Sequence, residues 1–313
     1  MRIADSSMQS LLARTMAQKR ADVQGLQLAA ASGRKYRLRS DAPAESAQAA
    51  TRRAEKAELQ AWQASLDCGR SWAVATESAL SQAVDTLQRL HELTVASRDA
   101  TLSAEDRTRL GAEVNSLLET CLQTANIKHG DSYLFGGTAA ATPPVRAERD
   151  GSGRITNIAV STPAGGQRRQ LQVGPETVMP YGACAVDSAA GVFVRPDSSA
   201  PSGYSLDIFG TMLRLRDALQ QGTVPAAETL DEISLGIESL TGRLVESGVE
   251  QNRFEALSTH YLRRDQDLTQ ELSDLADVDL ASVLSDLARQ ETAMTAALQV
   301  AGRLSRLSLA DYL

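Results

Sequence analysis

The chain has 313 residues, enough for two or three domains, and only 4% of them are aromatic. This composition favours long helices that meet along narrow apolar seams, and it argues against an aromatic-rich enzyme core. The formal net charge of −7 argues against nucleic acid as a general partner. No apolar run approaches the roughly 18 residues of a membrane span, so no membrane partner is expected.

The first segment carries apolar or small residues at helical spacing from about residue 5 to residue 31. Gly33 can end this helix, because glycine readily adopts the left-handed conformation found at helix C-termini. We predict an N-terminal coiled-coil helix and its connecting loop over residues 1–43. Lys19 interrupts the apolar seam of this helix. We expect the apolar members of the seam to serve assembly; they are Leu12, Met16, Val23 and Leu26.

A second helix is predicted to begin at Pro43, because proline fits the first turn of a helix but not its interior. Asp41, two residues earlier, is a candidate N-cap. No further proline follows up to residue 97, and apolar residues recur along the stretch. We interpret residues 44–137 as the first half of a helical rod.

A break at residues 101–103 divides this rod segment into two helices. Ser103 and Asp106 have the spacing of a capping box, so a third helix is expected from about Ala104 to about Lys128. Two helices joined by such a short turn should pack antiparallel to each other.

Residues 138–204 differ in character from the helical segments on either side. The stretches ERDGSGRITNIAV, RRQLQVG and GVFVRP alternate in polarity or are β-branched, and glycine and proline punctuate them. We therefore predict a small β-rich central domain over 138–204.

Helical signals resume near Asp207, stop near Gly222 and can start again at Pro225. We interpret residues 205–279 as the second half of the rod. Three glycines are expected to weaken the last helix of this segment: Gly236, Gly242 and Gly248.

The last segment, residues 280–313, is predicted to form a C-terminal coiled-coil helix. The seam of this helix advances at alternating steps of four and three residues, and Glu291 interrupts it. Its apolar members include Leu284, Leu287, Met294 and Leu298. The charge is uneven, since residues 1–56 carry eleven Lys/Arg against five Asp/Glu and residues 265–291 carry one Arg against eight Asp/Glu. The expected fold class is mainly α with a β-rich insertion. Both chain ends would form a long antiparallel helical rod, with the small central β domain at its tip.

The triplet Gly130-Asp131-Ser132 raises the question of a nucleophilic serine. An esterase of the Gly-Asp-Ser-Leu type would place the serine just after a strand and would supply a late Asp-x-x-His. Here the triplet follows a predicted helix, and His260 has no aspartate three residues before it. A turn is the favoured interpretation. We expect no catalytic residue, no cofactor and no metal site, and we expect the three widely spaced cysteines to be buried free thiols.

Three stretches resemble the bacterial flagellin superfamily. Residues 87–126 resemble the rod helices of flagellins, and the stretches from Ser32 to Pro43 and from Asp277 to Ala281 resemble two further elements of that family in the same order. The resemblance covers residues 1–137 and 205–313. The residues that carry its motifs are Arg89, Leu93, Glu113, Tyr133, Leu134, Phe135, Gly136 and Gly137.

Within this superfamily, the opening Met1-Arg2-Ile3, the YLFGG segment and the ending Leu307–Leu313 resemble the subunits that join hook to filament. The resemblance implies a secreted, extracellular structural subunit of the flagellum, exported by the flagellar type III route. Implied partners are further copies in a junction layer, flagellin, another hook-associated protein and an export chaperone at the C-terminal helix. The alternatives are a minor flagellin of the filament and a soluble helical adaptor unrelated to flagella.

Overall fold

The computed structural model describes residues 2–36, 38, 40–160, 167–200 and 203–310. Helices account for most of the chain, which confirms the predicted mainly helical fold. Within the described ranges the α-helices are α1 (Arg2–Ser32), α2 (Pro43–Ser97), α3 (Ala104–Ala125), α4 (Ile208–Gln220), α5 (Glu228–Ala276) and α6 (Leu280–Ala310).

The strands lie between α3 and α4, and they form separate hairpins. Most of them fall within residues 138–204, where a β-rich region is predicted, whereas the first hairpin lies before it, in residues 128–133, and the last strand extends to Asp207. Each pairs antiparallel with its neighbour in the chain, β1 with β2, β3 with β4, β5 with β6 and β7 with β8. Their bounds are β1 (Lys128–His129), β2 (Ser132–Tyr133), β3 (Val145–Arg149), β4 (Ile155–Val160), β5 (Arg169–Gln172), β6 (Val178–Tyr181), β7 (Val194–Pro196) and β8 (Tyr204–Asp207).

The chain divides into two structural units. The first unit comprises Met1–Leu59 and Leu262–Leu313, and the second comprises Gln60–Tyr261. In the first unit α1 packs against α6. Backbone hydrogen bonds join the two chain ends of this unit, because Lys35 N donates to Ala276 O and Val278 N donates to Gly33 O, both at 2.9 Å.

Several predicted helix ends are confirmed. Gly33 has φ +68° and follows the last residue of α1, with its N–H donating to Ala29 O at 2.8 Å. Ser103 is the N-cap of α3, and its Oγ accepts from Asp106 N at 3.1 Å. Asp207 caps α4 in the same way by accepting from Gly210 N at 2.9 Å.

Two helix boundaries and one cap differ from the prediction. α3 ends at Ala125 rather than near Lys128, because the side chain of Asn126 bonds to the backbone of β3 and Lys128 pairs within a hairpin. α5 begins at Glu228, three residues after the proline expected to start it. The Asp41 side chain was expected to cap α2. Its carboxylate instead accepts a hydrogen bond at 2.9 Å from the backbone N–H of Leu38, which precedes it in the chain.

α5 is continuous through the three glycines that were expected to weaken it. A Cβ on Gly236 would lie 3.1 Å from Leu87 Cδ1 and 3.2 Å from Ile208 Cγ1. The missing side chain lets α5 approach α2 and α4 closely, so tertiary packing offsets the weak helix propensity.

The apolar core of the second unit contains side chains from α2, α3, α4, α5 and the hairpins. α5 contributes a buried line that advances by alternating steps of four and three from Thr229 to Phe254. Each fully buried leucine contributes about 1.5–3 kcal/mol relative to an exposed one. The most deeply buried members on the helices include Leu80, Leu90, Leu118, Met212 and Leu240.

Candidate assembly surfaces

The predicted seam of α1 lies along the line that packs on α6. Val23 is buried, and Met16 and Leu26 are half-buried on the same line. Lys19, which interrupts the seam, donates from Nζ to Gln290 Oε1 of α6 at 2.9 Å. The interruption is therefore filled by a polar contact within the chain. Leu12 lies on α1, and its side chain is outside the described part of the structure.

The predicted stripe of α6 is divided by this packing. The line facing α1 runs through Val283, Leu287, Gln290 and Met294, so Leu287 and Met294 belong to both patterns. Leu284 and Leu298 remain 55% and 45% exposed. One part of the stripe holds α1 within the chain, and the other part stays open to solvent. A role of this stripe in assembly remains a prediction.

The first family-motif cluster ties α2 to α3. The Arg89 guanidinium donates to Glu113 Oε1 at 2.7 and 2.9 Å and to Glu92 Oε2 at 2.9 Å. The hydrogen bond with Glu113, and then that with Glu92, raises the pKa of Arg89 above its usual value. Leu93, one turn on, is 4% exposed and packs in the core.

A second tie confirms that α2 and α3 pack antiparallel. The Arg107 guanidinium, near the start of α3, donates to Ser97 O at the end of α2 at 3.1 Å. It also donates to Asp99 O at 3.0 Å. Contacts that join later residues of one helix to earlier residues of the other are those of an antiparallel pair.

The YLFGG segment is built into the core. Tyr133 lies in β2, where the Lys128 ammonium sits 4.7 Å from its ring centroid. Leu134 and Phe135 are buried, and the Phe135 ring packs edge-on against Phe193 with centroids 5.5 Å apart. The segment therefore anchors the end of the first helical half to the hairpin region.

The two glycines of this segment serve close packing. Gly137 has φ +55°, and a Cβ there would lie 2.8 Å from both Cys184 Sγ and Gln167 O. Gly136 has φ −78°, and its Cβ would lie 3.0 Å from Ala140 Cα. At Gly137 both the conformation and the contact require glycine.

Gly130 and Asp131 form the turn of the β1–β2 hairpin and Ser132 begins β2, in agreement with the favoured interpretation of a turn. His129 pairs with Ser132 in the strand register, and Gly130 has φ +60°. The His129 ring contacts a different hydroxyl, because its Nε2 lies 3.1 Å from Ser71 Oγ. In the described ranges, no cluster of three His, Cys, Asp or Glu side chains could hold a metal ion.

The structure shows a buried polar cluster that the sequence analysis missed. Arg243 and Glu250 of α5 are 8% and 9% exposed. The Glu250 carboxylate accepts from Arg243 at 3.3 Å and from Arg168. Arg243 also donates to Gly182 O. The sequence signal lay in the α5 seam, where Arg243, Ser247 and Glu250 occupy consecutive positions of a line that is apolar at its other positions except Thr229.

Trp72 lies near this polar cluster. A Cβ on Gly182 would meet the Trp72 Nε1 atom at 2.9 Å. The guanidinium of Arg169 sits 4.3 Å from the Trp72 ring centroid, and the ring of Tyr181 packs edge-on at 6.2 Å. The Trp72 ring therefore packs tightly against β5, β6 and the turn that follows β6.

The three cysteines do not share one environment. Cys121 and Cys184 are buried free thiols, as predicted, whereas the prediction is wrong for Cys68, which is exposed on α2. Burial raises the pKa of the Cys121 thiol to about 12 and also raises the pKa of Cys184.

No helix of the described chain combines the length and apolarity that a bilayer span requires.

A comparison with known protein families finds a match in the helices described above. Residues 3–140, which include α1, α2, α3 and the YLFGG segment, match the bacterial flagellin N-terminal helical region. This part of the chain is therefore similar to the helical region of flagellins, and the predicted resemblance to the flagellin superfamily is confirmed.

Two relatives are proteins of the flagellum, one a hook-associated protein and the other a filament core protein. The chain is 27% identical over 247 residues to flagellar hook-associated protein 3 of Escherichia coli, covering 74% of each chain. It is 24% identical over 221 residues to the flagellar filament 30.7 kDa core protein of Treponema maltophilum, covering 69% of this chain and 65% of that one.

Solved structures share the fold. Hook-associated protein 3 of Legionella pneumophila superposes with a TM-score of 0.57 at 16% identity, covering 72% of this chain and 99% of that one. FlgL of Bacillus cereus superposes with a TM-score of 0.52 at 17% identity, covering 71% and 98%. At this level of identity the superpositions establish the fold.

Proposed function

We propose that this protein is a structural subunit of the bacterial flagellum that joins hook to filament. The observation that carries the proposal is the similarity to hook-associated protein 3 across 74% of both chains. The YLFGG segment supports it, since its aromatic ring and its glycines are held in the core next to the motif helices. No chemistry is needed for this role, only surfaces that bind other subunits.

The finer features of the proposal concern layout, export and partners. The two helical chain ends would form an antiparallel rod with the β-rich region at its tip. The subunit would leave the cell through the flagellar type III route. It would contact copies of itself, flagellin and another hook-associated protein outside the cell. An export chaperone would hold the C-terminal helix, whose exposed leucines need cover before assembly.

Deletion of the gene tests this function. We expect cells that retain hooks, lack attached filaments and release flagellin into the medium. A plasmid copy of the intact gene should restore the filaments, which provides the control. Normal filaments on the deletion strain would contradict the junction role.

A minor flagellin is the second candidate, favoured by the similarity to the filament core protein of Treponema maltophilum. Immunogold labelling of purified flagella separates the two functions. Label confined to the hook–filament boundary supports the junction subunit, and label along the filament supports the minor flagellin.

A further inference from the structure

A pocket lies at the end of α1, on the side of the helix away from α6. It has a volume of about 300 Å³, and it is lined by apolar side chains, by the basic residues Arg34 and Lys35 and by the acidic residue Asp41. Leu28, one of its members, is about 140° around the helix from the buried Val23. We call this the α1-end pocket; its lining includes Leu28, Ala29, Arg34, Lys35, Tyr36 and Leu38.

The α1-end pocket presents both apolar and basic residues to solvent. Leu28 and Leu38 are exposed, and so are Arg34 and Lys35. The Lys35 ammonium is engaged with the carbonyl of Asp274 within the chain. Arg34 pairs through its backbone with Asp277, and this exposed residue lines the pocket.

The open part of α6 has the complementary chemistry. It forms one stripe, which we call the α6 stripe and define as Leu280, Leu284, Glu291 and Leu298, all of them exposed. Between residues 277 and 298 the chain carries four acidic residues against one arginine. The Glu291 carboxylate accepts a long hydrogen bond of 3.5 Å from Gln27 Nε2. The stripe is apolar with one acidic residue, Glu291. The pocket is apolar with two basic residues, and its one acidic residue, Asp41, accepts a hydrogen bond from Leu38 N within the chain.

The two surfaces cannot meet within one chain. Arg34 lies beside Asp277, three residues before the start of α6. Leu280 and Glu291 are eleven residues apart on α6, an axial distance of roughly 16 Å. The side chains of Arg34 and Glu291 together are too short to span this distance. The pocket also faces away from α6.

We propose that the α1-end pocket of one copy binds the α6 stripe of a second copy, with Arg34 against Glu291. This inference rests on the proposed function and names the surface through which the subunit would contact itself. Because the two surfaces differ, the contact is heterologous, and each copy retains one free pocket and one free stripe. Repetition of such a contact produces a ring or a helical layer rather than a closed pair.

Charge reversal in the full-length chain tests the contact. Arg34→Glu places two negative charges in the interface, and Glu291→Arg places two positive charges there. We expect each variant to raise the dissociation constant for self-association about tenfold or more, measured by sedimentation velocity. Arg53→Glu, an exposed reversal on α2, is the matched control and should leave the constant within about twofold.

An equimolar mixture of the two variants provides the decisive measurement. In the mixture, the glutamate introduced at position 34 of one variant can meet the arginine introduced at position 291 of the other. The unchanged Arg34 can likewise meet the unchanged Glu291. Association should therefore return to the wild-type level, which no contact within a single chain can produce. The proposal is overturned by a mixture that associates no better than its components. Wild-type association of Arg34→Glu, or a wild-type chain that stays monomeric at every concentration, overturns it equally.

This outcome is separate from that of the proposed function. Loss of filaments on gene deletion together with unaltered association of Arg34→Glu would retain the junction role and reject only this docking surface.

Discussion

Replacement of Glu250 by glutamine should destabilise the second unit more than any surface substitution. Glu250 is the anion that two arginines share, and both it and Arg243 are about nine-tenths buried. Glutamine keeps the shape of the side chain but removes its charge. The substitution leaves the Arg243 guanidinium in the core without a buried counter-ion.

The magnitude follows from this loss of pairing. Removal of one partner from a buried ion pair costs about 3–5 kcal/mol. Arg168 retains some solvent access, and Arg243 keeps its contacts with Gly182 O and with Glu246, which is exposed. These remaining contacts place the expected loss near the lower end, at about 3 kcal/mol.

Urea unfolding followed by tryptophan fluorescence measures this loss. Both tryptophans, Trp62 and Trp72, lie in the second unit, so the signal reports on that unit. Linear extrapolation gives the free energy of unfolding for each variant. Glu255→Gln, an exposed change on the same helix, is the control and should stay within about 0.5 kcal/mol of wild type.

A further variant separates the ion pair from simple packing. Arg243→Met combined with Glu250→Leu replaces both charges by apolar groups and should cost less than Glu250→Gln alone. A loss below about 1 kcal/mol for Glu250→Gln would refute the buried-anion argument.

Three other measurements test the structure. Gly137→Ala should lower the free energy of unfolding by about 2–4 kcal/mol, because backbone strain and a steric clash add. Gly130→Ala, which has open space around its Cβ, should lower it by only about 1 kcal/mol. A similar loss for both variants would contradict the clash. A thiol reagent should label one cysteine per native chain, Cys68, and labelling of two or three would show that the buried thiols are accessible. Hydrogen bonding to Arg149 lowers the folded-state pKa of Glu119, so the stability from this pair should be present above the unfolded pKa of about 4.3 and disappear as the pH falls through the lowered value. The difference in unfolding free energy between wild type and Glu119→Gln, expected to be about 0.5–1 kcal/mol at pH 7, should vanish at low pH, and a constant difference would exclude the ion pair as its source.

Local signals in the sequence were sufficient for most of the helical organisation. Gly33 and Ser103 act through their own backbone and their nearest neighbours, so their effects are visible without any tertiary contact. The turn at Gly130-Asp131 is likewise local, and its interpretation as a hairpin turn agrees with the register of β1 and β2. Heptad spacing identified the side of α1 that packs, through Met16 and Val23.

Other features depend on neighbours that are distant in the sequence. The continuity of α5 at Gly236 depends on Leu87 and Ile208, and no glycine reveals its packing partners by itself. Which part of the predicted α6 seam becomes buried depends on how α6 is rotated against α1, since Leu287 and Leu284 are equally apolar in sequence.

The buried charges illustrate the same division. In the sequence, Arg243 and Glu250 resemble an ordinary solvated pair on a helix, and their seam position is the only local sign of burial. Their burial is decided by the packing of α5 and by Arg168, 82 residues away from Glu250 in the chain. Periodicity and caps therefore predict which elements form, because these are short-range effects. The faces that the elements bury, and the charges that become trapped between them, are decided only when the elements pack together in three dimensions.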